Sequence, residues 1–193
     1  MTDRQIRVDD VETPEAPESR VPFDLLAPQH GWFRALRHPQ YRFFWAGNFV
    51  SNVGSWMQNV AQGWLVLQLT NSPFLLGLVG FAQQIPALIF SLPAGVLADR
   101  TQRRRMLLTT QTVMMLLAFM LAGLTWLDRV NVESIVVLAF LAGTTMALNA
   151  PTYQAAVRDL VEEQDTLNAI ALNSIQFNLS RVLGPSLAGF AIA

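Results

Sequence analysis

The chain has 193 residues, of which 52% are hydrophobic and only 14% charged, against about 25% charged in an ordinary soluble domain. Its 13 basic residues are all Arg, its net charge is −1 and it contains no Cys, so neither a nucleic-acid surface nor a disulfide or Cys-based metal framework is indicated. From Phe43 to Ala98 there are 56 successive positions without Asp, Glu, Lys, Arg or His, which excludes a soluble globular fold.

Residues 1–33 carry Pro14, Pro17, Pro22 and Pro28 among seven acids, a composition that predicts a disordered tail. No apolar run occurs early enough to serve as a secretory signal. Residues 34–193 are read as an all-α membrane bundle. About 20 helical residues cross a bilayer core of about 30 Å. The long uncharged run must therefore fold back, and Thr70-Asn71-Ser72-Pro73 is the polar break near its middle. This gives helices over 41–69 and 74–98. Three further apolar stretches predict helices over 106–127, 134–157 and 166–193. Barrel strands would alternate over about 10 residues, and these runs are continuous and more than twice as long.

Arg34, Arg37 and Arg42 lie at the start of the first span, Arg100, Arg103, Arg104 and Arg105 between the second and third, and Arg158 after the fourth, against Arg129 alone on the opposite side. Cytoplasmic loops retain positive charge, so the N-terminus is expected in the cytoplasm, with the 70–73 and 128–133 turns outside. Five spans then leave Ala193 within apolar sequence, which reads as a truncated chain; a five-helix protein ending at the outer surface is the alternative.

The first span carries Asn48, Asn52, Ser55, Asn59 and Gln62 at spacings of 4, 3, 4 and 3, which is one face of a helix. Amides facing lipid cost a few kcal/mol each, so this face looks into the bundle or onto water. One or two such amides would suit helix–helix hydrogen bonding; five, running almost the full depth, favour a polar pathway. Gln83, Gln84, Gln111 and Asn149 are single amides better suited to the first role. In the fifth span, Ser174, Asn178 and Arg181 share a face. An Arg at membrane depth costs about 2.5–3.5 kcal/mol on the insertion scale. Either it snorkels to the outer headgroups or it faces a cavity, and the nearby Asn178 and the Gly184-Pro185 break favour the cavity. Gly184, Ala188 and Gly189 offer small surfaces for helix contact.

Gly95-Val96-Leu97-Ala98-Asp99-Arg100-Thr101-Gln102-Arg103-Arg104-Arg105 is the most specific string. Gly95 permits close packing, Asp99 can pair with the Arg cluster or cap a helix, and the basic turn can anchor to anionic headgroups. The string resembles the loop between helices two and three of the major facilitator superfamily, Gly-x-x-x-Asp-Arg-x-Gly-Arg-Arg, with Gln102 at the second Gly. Residues 180–189 resemble the fifth-helix motif of its antiporters, Gly-x-x-x-Gly-Pro-x-x-Gly-Gly, through Gly184, Pro185 and Gly189, with Ser180 and Ala188 at two glycines. Leu36-Arg37-His38-Pro39-Gln40-Tyr41-Arg42, Ser51-Asn52-Val53-Gly54-Ser55-Trp56-Met57-Gln58 and Phe177-Asn178-Leu179-Ser180-Arg181 are similar to the bacterial branch that includes the enterobactin exporter. Where that branch often carries Arg, this chain has Tyr153.

The resemblance implies five of the twelve helices of an inner-membrane secondary transporter, exporting a drug-, siderophore- or similar amphipathic small molecule by alternating access. Its implied partners are the bilayer, that cargo and a C-terminal half lying beyond this sequence. Asn52, Ser55, Asn59, Gln62 and Arg181 would line the route, and Gly95, Asp99, Arg100, Arg103 and Arg104 would form the gating loop. A non-transporting membrane fragment is the alternative. No catalytic set, metal-spaced cluster or cofactor motif is legible, and His30 and His38 read as solvated juxtamembrane residues.

Overall fold

The computed structural model describes Gly31 and residues 33–192, and of Leu92, Ala98, Asp99 and Arg100 the backbone only. The tail expected before residue 34 thus lies outside the described residues apart from Gly31 and Phe33, as do His30 and Ala193. Every regular element among the described residues is helical: α1 Pro39–Thr70, α2 Pro73–Arg100, α3 Arg103–Trp126, α4 Val132–Asp159 and α5 Thr166–Ile192. Short 3-10 helices, Arg34–Arg37 and Glu163–Asp165, precede α1 and α5. The shortest long helix, α3, has 24 residues and rises about 36 Å, enough to cross a bilayer.

Local chemistry sets the helix ends. Asn71 takes the left-handed conformation (φ 50°) and its N–H closes α1 on the Leu67 carbonyl at 2.7 Å. Ser72 then caps α2 by accepting from the Leu75 N–H, and Pro73 occupies the first turn, where its missing N–H costs nothing. Asn131 and Ser134 cap α4 reciprocally. Helices α2 and α4 run past the uncharged stretches, through Arg100 and Asp159, and α3 begins as early as Arg103. Charge is excluded from hydrocarbon, whereas a helix continues until its backbone is capped or reversed.

Three helices, α2 through Ser91, α3 and α4, are apolar and long enough to cross a membrane. Helices α1 and α5 are as long, but their amides dilute the apolar surface. Large side chains face outward around the bundle; Phe43, Leu88 and Trp126 are 72%, 79% and 89% exposed, the arrangement that lipid rather than water rewards.

Helix α2 lies along α4, α1 along α5, and α3 against α4, while α1 touches α2 and α4 only lightly. Val66, Val79, Leu121, Ile135, Leu138 and Ala139 form an apolar layer toward the Asn71 turn, and Ala35, Tyr41, Val157, Ala169 and Leu172 a second at the Arg-rich end. Two glycines set the close crossings. A β-carbon on Gly143 would overlap the Gln83 carbonyl, 2.8 Å from its carbon, and one on Gly184 would overlap the Trp56 β-carbon and lie 2.9 Å from the Val53 oxygen. Gly189 meets nothing within 4 Å, because five residues turn it about 140° around α5 from Gly184. Gly95 likewise meets nothing within 4 Å, so its expected tight packing does not occur among the described residues.

Replacing Gly143 or Gly184 with Leu should therefore cost about 1–3 kcal/mol by overpacking, lowering the thermal midpoint of the detergent-purified protein, whereas Gly189→Leu should leave it nearly unchanged.

Candidate functional site

At the Arg-rich half of the bundle, α1, α4 and α5 diverge around a cavity of about 450 Å³. Helix α1 contributes Asn48 and Asn52, four residues apart; α4 contributes Asn149, Tyr153, Gln154 and Arg158; α5 contributes Asn173, Ser174, Phe177 and Asn178. Each set recurs at helical spacing, so one face per helix turns inward. Six lining side chains are amides and Arg158 is the one charged group among them.

The cavity wall is held from behind. The Tyr153 hydroxyl donates to Asn173 Oδ1 at 3.0 Å. The fully buried Tyr41 hydroxyl lies 3.1 Å from the same oxygen and 3.0 Å from the Ala169 carbonyl, sharing its single proton between them. With its oxygen so occupied, Asn173 retains its NH2 as a donor for a ligand. Phe44 stacks on Tyr153 at 5.1 Å, Trp45 Nε1 donates to the Leu172 carbonyl at 3.2 Å, and Thr110 donates to Asn149 Oδ1 at 2.8 Å.

The α1 amides do not all share this cavity. Asn52 lines it, together with Asn48. The Ser55 hydroxyl donates to the Ser51 carbonyl of its own helix at 3.0 Å. Asn59 is exposed and accepts from Gln83 Nε2 at 3.0 Å. Gln62 is buried and lines a separate concavity between α1 and α3 with Gln58, Leu65, Leu121 and Trp126. A 3.5-residue spacing drifts by about 20° per seven residues on a straight helix, so Gln62 is rotated about 40° from Asn48 and meets different neighbours.

Arg181 is exposed on α5, its guanidinium carbon 5.7 Å from the Trp56 ring centroid. Trp56 in turn meets Phe177 of the cavity edge-on at 5.9 Å. Pro185, inside α5, cannot donate to the Arg181 carbonyl, so the helix lacks one bond there.

In the basic turn, Arg103 Nη1 donates to Asp159 Oδ2 and reaches the Ala155 carbonyl at 3.4 Å, tying α3 to the end of α4. Arg104 lies with Arg103 on a mainly apolar groove between α1 and α3. The side chains of Asp99 and Arg100 lie outside the described residues. Asp159 was not singled out in the sequence, where it reads only as a charged helix end.

A second cluster was also missed. Asp165 is buried, with Arg34 Nε 2.6 Å from one carboxylate oxygen and His38 Nε2 2.9 Å from the other. Beside it Asn168 Oδ1 accepts from the Ala35 N–H at 2.9 Å. His38 is thus a partner in a clasp between the segment before α1 and the start of α5, not a solvated residue as its sequence position suggests. The partners are 127 residues apart, beyond any local pattern. Because Arg34 and His38 remain 28% and 26% exposed, Asp165→Ala should cost about 1–3 kcal/mol rather than the full penalty of a sealed ion pair. Hydrogen exchange should read it as faster exchange over 34–38.

A family profile described as transmembrane secretion effector matches residues 30–193. The chain is 29% identical over 153 residues to the staphyloferrin A transporter of Staphylococcus aureus, covering 79% of this chain and 38% of that protein. It is 30% identical over 149 residues to the multidrug efflux pump Tap of Mycolicibacterium fortuitum, covering 74% and 36%. It is 27% identical over 152 residues to the uncharacterized MFS-type transporter YfiS of Bacillus subtilis, covering 77% and 34%. The chain therefore spans little more than a third of the length of these relatives. No solved structure matches it.

Proposed function

Because the chain belongs to the transmembrane secretion effector family of major facilitator transporters, we propose that it forms the N-terminal bundle of an exporter that moves small amphipathic molecules by alternating access. The observation that carries this reading is the cavity of about 450 Å³ walled by amides from three otherwise apolar helices. Amides turned into a shared space at membrane depth can exchange hydrogen bonds with water and with a polar cargo, and each is costly where it does neither. The printed activities of two relatives, a siderophore transporter and a multidrug efflux pump, support a cargo of siderophore or drug type.

A cavity open on one side of a bundle serves alternating access when a second bundle rocks against it. The relatives' greater length supports an opposing half beyond this sequence. In this reading Asp99 reaches that half while Arg103, anchored to Asp159, holds the α2–α3 turn in place. Asn52, with Asn48, Asn173 and Asn178, meets the cargo first. Asn59 and Arg181 continue the route toward the far side, while Ser55, bonded to its own helix, and Gln62, in the separate concavity, stand off it. Residues 1–33 are a cytoplasmic tail, and eight Arg at the end where α1 begins against Arg129 at the other support a cytoplasmic N-terminus in a bacterial inner membrane.

In the full-length transporter, Asn52→Leu and Asn173→Leu should each weaken cargo affinity about 2–10-fold, the worth of one hydrogen bond of about 0.5–1.5 kcal/mol. The check is export from cells lacking other pumps, alongside membrane abundance. Unchanged export in both variants would falsify the proposed route. Cysteine labelling at Asn71 and Asn131 should mark the outer surface; labelling from the cytoplasm at either reverses the orientation.

A further inference from the structure

The single charged side chain among the described residues that line the cavity is a guanidinium. Arg158 stands on the last turn of α4 and lines the cavity. Of the carboxylates near it, Asp159 pairs with Arg103 and Asp165 with Arg34 and His38, while Glu162 meets the neutral amide of Gln164 and Glu163 is exposed. Among the described residues none is left within ion-pair distance of Arg158. Arg181 stands about 22 Å along α5 from Thr166, far from either helix end. Its described contact is the face of Trp56, which attracts a cation but does not neutralise it. Trp56 abuts Phe177 on the cavity wall, so this second guanidinium lies just beyond the cavity, on the face that Ser174 and Asn178 present to it.

Beside Arg158 the lining carries six amides, each with an NH2 to donate, and no carboxylate of the described residues. A guanidinium presents a planar fork that fits a carboxylate or similar oxyanion in bidentate fashion. An organic cation entering the space meets a like charge on its wall at Arg158 and a second just beyond it at Arg181, with no carboxylate of the described residues on the lining.

Building on the exporter reading, we propose that this cavity selects anionic cargo, an amphipathic molecule bearing carboxylates or comparable oxyanions, and disfavours organic cations, with Arg158 and Arg181 as its two anchoring charges.

The test uses the full-length transporter in lipid nanodiscs and two dyes built on the same xanthene ring, 6-carboxyfluorescein as anion and rhodamine 6G as cation, with binding followed by fluorescence anisotropy at fixed salt. Carboxyfluorescein should bind at least tenfold tighter than rhodamine 6G. Arg158→Gln and Arg181→Gln should each weaken it about 5–10-fold, Arg181→Lys should recover part of that loss, and Arg181→Glu should narrow or invert the preference. Retention of the monodisperse elution profile by the Lys variant separates charge effects from misfolding. Equal binding of the two dyes, tighter binding of rhodamine 6G, binding of neither, or carboxyfluorescein binding indifferent to both Gln variants overturns the inference. Transfer in proteoliposomes is read separately: Arg-dependent carboxyfluorescein binding without any transfer upholds the anionic site and counts instead against the exporter reading.

Discussion

Hydrocarbon offers an amide nothing to bond with, and that constraint organises the bundle. An Asn or Gln placed in a span is costly unless it finds a partner or a wet space, and the buried Gln176 side chain on α5, with no hydrogen-bond partner among the described residues, bears that cost. Both solutions are used here. Asn59 takes Gln83, Ser51 takes Gln111 and Thr110 takes Asn149, joining α1 to α2, α1 to α3 and α3 to α4. Asn48, Asn52, Asn173 and Asn178 instead gather around one cavity. The same constraint accounts for the orientation of the apolar side chains, which cover the outside rather than fill a large core.

The cavity exists because the helices pair unevenly. Glycines let α2 approach α4 and α1 approach α5 to backbone contact, and attraction between closely packed helices holds each pair. The two pairs meet each other sparingly. The space left between them at the Arg-rich end is where amides line up, and Tyr41, Tyr153 and Trp45 keep its walls in register through bonds to α5.

Legibility from sequence followed the range of the forces involved. Five helices could be read because charge-free length, a Pro after a polar turn and the Arg distribution are all local signals. The Asn71–Ser72 reversal could be read for the same reason. The stripe of α1 could be read as an angle on the helix, but not that Asn48 and Asn52 meet one cavity while buried Gln62 meets another concavity, since periodicity fixes an angle and not which neighbour stands at that angle. Gly184 could be singled out as a small residue, while Gly189 and Gly95 carry the same side chain without the same contact. The clasp of Arg34 and His38 on Asp165, and of Arg103 on Asp159, joins residues far apart in the chain, and nothing in the spacing of either partner announces it.

Gly184 sits about 27 Å along α5 from Thr166 and about 12 Å from Ile192, at 1.5 Å per residue. A contact with no side chain can act as a fulcrum, and this one divides the helix into unequal arms. A tilt of α5 by about 5° about that point displaces its Thr166 end by about 2 Å and its Ile192 end by only about 1 Å, in opposite senses. By this geometry alone, any rocking of α5 about Gly184 would shift the amide-bearing end more than the opposite rim.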